Sequence, residues 1–394
     1  MRSGAVCALF VAAATAACAT TVPGTPVADP SVTRLDVGNY PTTTARVPVA
    51  KRPADAYQQE GWKIADSVIT VRDIDPRLVK NVGVRVPIVS TALFPVNPVP
   101  NFTDDQATAL AGYHLLTGFI DSRSVDGKNT GAWAGAGILR FQDADSATRA
   151  LAAVTPPNAL VIKNDSVPGG KITAVRGGTL KSSGKSVLSL VIPVGSLWVV
   201  AAMIDQDFKT AADVSIKALK AQFDRVRSYS PTQVADTADY PMDSGSIMTL
   251  LLPAKPEAVL LEMGLSADGG MARGYRTGRA EAHMWDTDSV VHELSLDPGV
   301  ELVASNGASD FDAVYRMKTA GDAERLFGRF FVPGAAASVK GVPNDSARCL
   351  QSVGKGTMCG VRVGRYMRLT VAKAQAEAYQ RAAAGYLIQQ HAPE

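Results

Sequence analysis

The sequence is short of aromatic residues (6%), holds four histidines and four cysteines, and carries a formal net charge of only +3 over 394 residues. A charge this small, gathered in no run, leaves no electrostatic footprint for nucleic acid and no polybasic stretch for anionic lipid. No uninterrupted apolar run reaches the roughly 20 residues that a membrane-spanning helix requires. What remains is a globular composition, 46% hydrophobic and 20% charged, in a chain long enough for two ordinary domains.

The N-terminus departs from that average. Met1 and Arg2 give a positive start, Ala5 to Ala14 is apolar and uncharged, and small residues follow through Thr15-Ala16-Ala17-Cys18. These are the three parts of a secretory signal. Ala16-Ala17-Cys18 is similar to the end of a bacterial lipobox, in which the cysteine receives a diacylglyceryl thioether, although Thr15 stands where Leu is usual. The alternative is ordinary cleavage after Ala14-Thr15-Ala16, which would leave a secreted protein. Ala19 to Pro30 is rich in Thr, Pro and Gly, too poor in apolar surface to offset its ordering entropy, and reads as a spacer between anchor and folded body. The expected address is the outer face of the cytoplasmic membrane, held by lipid on Cys18.

Cysteine arithmetic agrees with export. Cys7 falls in the signal and Cys18 would carry lipid, so Cys349 and Cys359 remain as an even pair in an oxidising compartment. The turn signal Val353-Gly354-Lys355-Gly356 lies between them, which predicts a cross-strand disulfide at a hairpin, worth about 2–3 kcal/mol in the chain-entropy model.

The rest of the chain reads as one plan used twice. Gly137 to Phe141 is a strand running into a helix with Ala147, Ala150, Leu151 and Val154 on one face. Ala313 to Met317 likewise runs into a helix with Ala323, Leu326, Phe327 and Phe330 together. Arg140 matches Arg316, and Asp143 matches Thr319 at the two N-cap positions. A hairpin follows in each half, Ser186–Ile192 with Leu197–Ile204, and Cys359–Val363 with Tyr366–Val371. A closing helix ends each, one striped by Ile216, Leu219, Phe223 and Val226, the other by Ala372, Tyr379, Ala383 and Tyr386. The expectation is α+β: two similar tandem domains, each an antiparallel sheet with helices packed on one face. The boundaries are a signal over 1–17, lipidated Cys and spacer over 18–35, a first domain over 36–228, a linker over 229–241 and a second domain over 242–394.

The Cys18 start, Leu35–Pro41 (LDVGNYP), Glu60–Asp66 (EGWKIAD), Ile74–Arg77 (IDPR), Gly118–Arg123 (GFIDSR) and Cys359–Tyr366 (CGVRVGRY) together resemble an uncharacterised family of envelope lipoproteins from mycolic-acid (mycobacterial and nocardial-type) actinobacteria. The likeness covers almost the whole mature chain. It implies an envelope protein with a duplicated α+β domain, and brings no activity or ligand. The Cys-flanked strand, Gly turn and amphipathic helix are also loosely similar to extracytoplasmic sensor domains of actinobacterial receptor kinases, an analogy of fold alone.

The motifs that might carry chemistry fall short. Gly178 to Ser186 has five residues before Gly184-Lys185 where a phosphate loop has four, and a strand follows where a helix N-terminus is needed. His283 and His292, with Glu281, Asp286, Asp288 and Glu293, form the densest titratable cluster. His292-Glu293 begins a zinc-protease pattern, but Leu296 stands where the second histidine belongs, and Val290–Leu296 reads as a strand on a solvated edge. Ser244-Gly245-Ser246 lacks a nucleophile elbow, and carboxylate pairs such as Asp104-Asp105 or Glu257 and Glu262 carry no geometry. No cofactor and no metal are implied. The apolar stretches Ile247–Leu252, Val259–Leu265 and Leu197–Met203 read as core, with a lipid-binding groove as the sharper alternative. The preferred function is a membrane-anchored, non-enzymatic module that binds an envelope protein or wall component. A carrier of a lipid or small apolar ligand comes second, and an enzyme with a His/carboxylate site in the second domain third.

Overall fold

Two strands explain the architecture. β3 (Trp133–Phe141) and β7 (Leu197–Asp205) are buried along their whole length, and successive side chains must point to opposite faces. On one face lie Ala134, Ala136, Ile138, Val199, Ala201 and Met203. On the other lie Trp133, Leu139, Phe141, Trp198, Val200 and Ala202. A strand apolar on both sides needs cover on both sides. Helices α1 (Pro53–Ala65) and α4 (Phe208–Val226) cover the first face, and α2 (Asp104–Leu110) and α3 (Ala144–Val154) the second.

The computed structural model describes residues 35–393 except 51, 84, 91–100, 129–130, 166, 168–169, 181–182, 254–272, 297–298, 307–310, 333–335 and 353–355. The signal, Cys18, the spacer up to residue 34, Val259–Leu265 and most of the turn expected at 353–356 therefore lie outside the described residues.

Unit one adds β1 (Lys80–Asn81), β2 (Leu115–Ser124), β4 (Val161–Lys163), β5 (Lys171–Thr179) and β6 (Ser186–Val194). Its sheet runs β1-β2-β3-β7-β6-β5-β4, antiparallel throughout. Unit two consists of β8 (Gly274–Thr277), α5 (Gly278–Ala282), α6 (Val290–Leu296), β9 (Val300–Ser305), β10 (Asp312–Met317), α7 (Ala320–Phe330), β11 (Ala337–Ser338), β12 (Ala347–Ser352), β13 (Gly356–Val363), β14 (Tyr366–Ala372) and α8 (Gln375–Gln389). Its order, β8-β9-β10-β14-β13-β12-β11, reproduces the first strand for strand. The molecule is α+β with two similar units, as expected, and the repetition extends further than the sequence pattern reached.

One part of that expectation is corrected. Helices cover both faces of each sheet, not one. In unit two, α7 packs on Ala313, Tyr315, Met317 and Leu369, while α8 packs on Cys359, Val361, Val314 and Tyr366 of the reverse face. The matched caps hold: Asp143 accepts from the Ser146 N–H at 2.6 Å and Thr319 from the Asp322 N–H at 3.1 Å. Ala372, placed in the closing helix by its spacing, is instead the last residue of β14. Cys349 and Cys359 sit opposite each other across β12 and β13 and are disulfide-bonded.

The connections between units are ordered. Residues 36–45, grouped with the first unit on sequence grounds, lie on the second, as does Leu35 at the end of the expected spacer. Tyr40 donates to Glu377 at 2.6 Å, Gln380 donates to Asp36 at 3.1 Å, and Leu35 and Val37 pack on α8. The stretch 229–241 is a fixed strap. Buried Glu60 accepts from Arg140 at 2.7 Å, from the Thr232 N–H and hydroxyl at 3.1 and 2.8 Å, from Tyr240 at 3.0 Å, and from Tyr229.

Candidate functional site

The facing sheet edges create a seam. An edge strand exposes unpaired N–H and C=O groups, and here each edge is closed by the other unit. The Gln59 amide accepts from Tyr275 N–H at 3.2 Å and donates to Tyr275 C=O at 2.6 Å on β8. On the β1 side, Asp286 accepts from Asn81 N–H at 2.7 Å, and Thr287 N–H donates to Val79 C=O at 2.9 Å.

Behind these edges lies a buried ionic cluster. Asp121 and Arg123 are two residues apart on β2, so both point to the same side of the sheet, and both are fully buried as side chains. Arg123 Nε donates to the Asp121 carboxylate at 3.0–3.1 Å, and its Nη1 reaches Trp285 C=O at 2.9 Å. His283, just past α5, places Nδ1 2.9 Å from Asp121 Oδ1. A carboxylate can only accept, so Nδ1 carries the proton. Val71 N–H donates to Oδ2 at 3.0 Å. Burial alone would raise the Asp121 pKa, but Arg123 and His283 outweigh it and hold the carboxyl well below the usual carboxylate range.

A second cluster sits in unit two. Glu281 accepts from Arg276 at 2.5 Å, Trp285 at 2.8 Å and Tyr315 at 2.9 Å. The Arg276 guanidinium lies 4.7 Å from the centre of the Trp62 ring of unit one.

Next to the cluster a surface pocket of about 400 Å³ opens, above the roughly 300 Å³ at which small-molecule sites begin. Arg72, from the 3-10 turn Val71–Asp73 of unit one, forms one wall. The other is Thr287, Asp288 and Ser289 with His292, Glu293 and Leu296 of α6. His292 is 4% exposed and donates from Nδ1 to Ala282 C=O at 2.8 Å. Burial, with Arg123 and His283 nearby, lowers its pKa.

Two expectations about this region are corrected. Val290–Leu296 is a helix, not a strand: Ser289 caps it through the His292 N–H at 3.1 Å. His283 and His292 are buried at the seam, not on a solvated edge. The dyad His283–Asp121 has the form of an oriented base, yet His283 Nε2 is buried with no hydrogen-bond partner among the described residues. A base needs a proton within hydrogen-bond reach. Among the described residues no group of three or more His, Cys, Asp or Glu could hold a metal ion.

The remaining sequence candidates are scattered. His114 and His391 are exposed, and Asp104 and Asp105 lie in the first turn of α2. Gly178 and Thr179 are the last residues of β5, paired with Val187 and Ser186 at the start of β6. Ile247–Leu250 is a buried 3-10 turn, and Leu197–Met203 is core covered on both faces. Glu60, Asp121 and Arg123 went unnoticed as a site. Their signal was present: a charged pair two apart in an otherwise apolar strand must be paired when buried.

Residues 47–242, just under half of the chain, match a family model described as a domain of unknown function (DUF7373), N-terminal. No curated protein matches. Among solved structures, the extracellular domain of PknH from Mycobacterium tuberculosis is similar at 10% identity, with a TM-score of 0.27, over 43% of this chain and 97% of that one. No helix of the described residues is long and apolar enough to cross a membrane.

Proposed function

We propose that this chain is an extracytoplasmic, lipid-anchored binding module without catalytic activity, and that its recognition element is the seam between the two units. The observation that carries this reading is how the reactive groups are used. Asp121, Arg123, His283, Glu281 and Arg276 are consumed in buried pairs that join or brace the units, while the open pocket lies at their border, where ligand sites concentrate. The buried Cys349–Cys359 bridge suits an oxidising compartment, and the signal-like start with its Cys18 and spacer supplies the tether. The apolar-carrier alternative draws less support, because the faces of Leu197–Met203 are filled by helices and the pocket walls are largely polar.

The intact mass of the membrane-extracted protein tests the address. The expected mass starts at Cys18, includes diacylglyceryl and acyl groups, and lacks the two thiol hydrogens of Cys349 and Cys359. An unacylated chain beginning after Ala16 would overturn the anchor. Cys349→Ser is expected to lower thermal stability by about 2–3 kcal/mol and to leave membrane partition unchanged. Cys18→Ser is expected to abolish partition.

A further inference from the structure

We infer that the seam pocket binds a neutral saccharide, a reading that rests on the binding-module function above. The lining selects by charge. Lys80 pairs with Asp288 at 2.7 Å and with Asp286 at 3.6 Å, and Arg72 lies close enough to Asp288 to favour its charged form. Arg72 and Glu293 are both exposed with no ion pair within 4.0 Å among the described residues. An anionic ligand would meet Glu293 and a cationic one Arg72. An acyl chain would strip water from both without replacing its hydrogen bonds, which disfavours it.

The hydrogen-bonding inventory selects further. Glu293 and Asp288 offer carboxylate oxygens that only accept. His292 has Nδ1 engaged with Ala282, so Nε2 is its available acceptor. Arg72 only donates. The Ser289 oxygen accepts the His292 N–H, which leaves its own proton to give. A ligand satisfying this set must donate and accept at several closely spaced atoms while remaining uncharged. Hydroxyl groups on adjacent ring carbons do so, and bonds to the charged members are the stronger kind. Leu296, 48% exposed, supplies an apolar patch for the C–H face of a sugar ring.

The test is titration calorimetry on the full mature chain, held in a detergent without a sugar headgroup. The probes are glucose, galactose, mannose, arabinose and N-acetylglucosamine, with inorganic phosphate and glycine as charged comparisons. At least one sugar is expected to bind saturably, and Glu293→Gln and Arg72→Met each to weaken it about tenfold or more. Asp213→Asn, on the exposed side of α4, is expected to leave binding unchanged. Both pocket side chains are exposed, so the variants should fold, and a melting curve for each checks this. The inference falls if no sugar binds saturably, if binding is indifferent to both pocket variants, or if phosphate or glycine binds while the sugars do not. Such a result with the acylated mass intact removes the ligand and keeps the tethered module. A missing anchor with sugar binding retained removes only the tether.

Discussion

Replacing Asp121 by Asn should separate structural pairing from mere proximity at the seam. The substitution keeps the shape and removes the charge. Oδ1 accepts from Arg123 and His283, and Oδ2 from Val71 N–H and Arg123. Wherever the new NH₂ group points, it meets a donor. Arg123, 0% exposed, keeps its charge with only a backbone carbonyl to face. Removing one partner of such a buried pair costs about 3–5 kcal/mol. At about 2–4 °C per kcal/mol for a unit of this size, the melting temperature should fall by about 6–20 °C.

Because His283 and Trp285 belong to unit two, the loss should also weaken the hold of one unit on the other. Urea unfolding followed by near-ultraviolet circular dichroism reads both effects. The double variant Asp121→Asn/Arg123→Met removes both charges and should recover part of the loss. The acid limb gives a further check. Asp121 is depressed in the folded state, so its contribution is complete above the unfolded value of about 3.9 and disappears as pH falls toward the folded value. Asp121→Asn should flatten that limb. A single variant within about 1 kcal/mol of the parent, or a double variant no better than the single, would refute the pairing argument.

Three other outcomes are expected. Glu60→Gln should cost about 3–5 kcal/mol and open 229–241 to limited proteolysis, because the carboxylate gathers Arg140, Tyr229, Thr232 and Tyr240 around the strap. His292 has a lowered folded pKa, so the unfolded chain binds its proton first. Stability should therefore fall as pH drops below about 6.5, and His292→Asn should lessen that fall in melting curves taken down to about pH 5. In Gly137→Ala the new Cβ would lie 2.2 Å from Phe119 O and 2.7 Å from Ile120 Cα. Neither backbone atom can yield cheaply, so the melting temperature should drop by the equivalent of about 1–3 kcal/mol or more, whereas Gly112→Ala, with open space around it, should be close to neutral.

Local chemistry was legible in the sequence where a short-range rule governs. Asp143 and Thr319 announced their helices because an N-cap is decided within four residues, and Cys349 with Cys359 announced a hairpin because their turn lies between them. Two features were misread because they depend on distant chain. The apolar alternation on both sides of Leu197–Met203 already called for two covers, but the identity of the second cover is a tertiary fact. Val290–Leu296 read as a strand because its apolar residues run together. It is helical because Ser289 caps it and the seam buries His292 and Ser295 on one side. The site itself joins Arg72 to α6 across more than two hundred residues, a separation that periodicity cannot see.

The duplication also explains why the two sides of the seam differ. Aligning Arg140 with Arg316 through the strand registers sets Ala136, Val199 and Ala201 of unit one against Asp312, Arg368 and Thr370 of unit two. In unit one that face is apolar beneath α4. In unit two it carries a fully buried pair, Arg368 donating to Asp312 at 2.8–2.9 Å, with Arg381 of α8 donating to Thr370 at 2.8 Å. Room for the guanidinium comes from the small residues of α8: a Cβ on Gly385 would stand 2.6 Å from Arg368 Cδ. Arg368 also donates to Leu250 C=O and Asp312 accepts from Leu252 N–H, so the segment 247–252 takes the place over this sheet that α1 holds over the other. Among the described residues no full helix lies there, and α1 of unit one reaches across to close β8 through Gln59. The two units have the same strand order but unlike cover. They therefore meet asymmetrically, with Arg72 on one side of the pocket and α6 on the other.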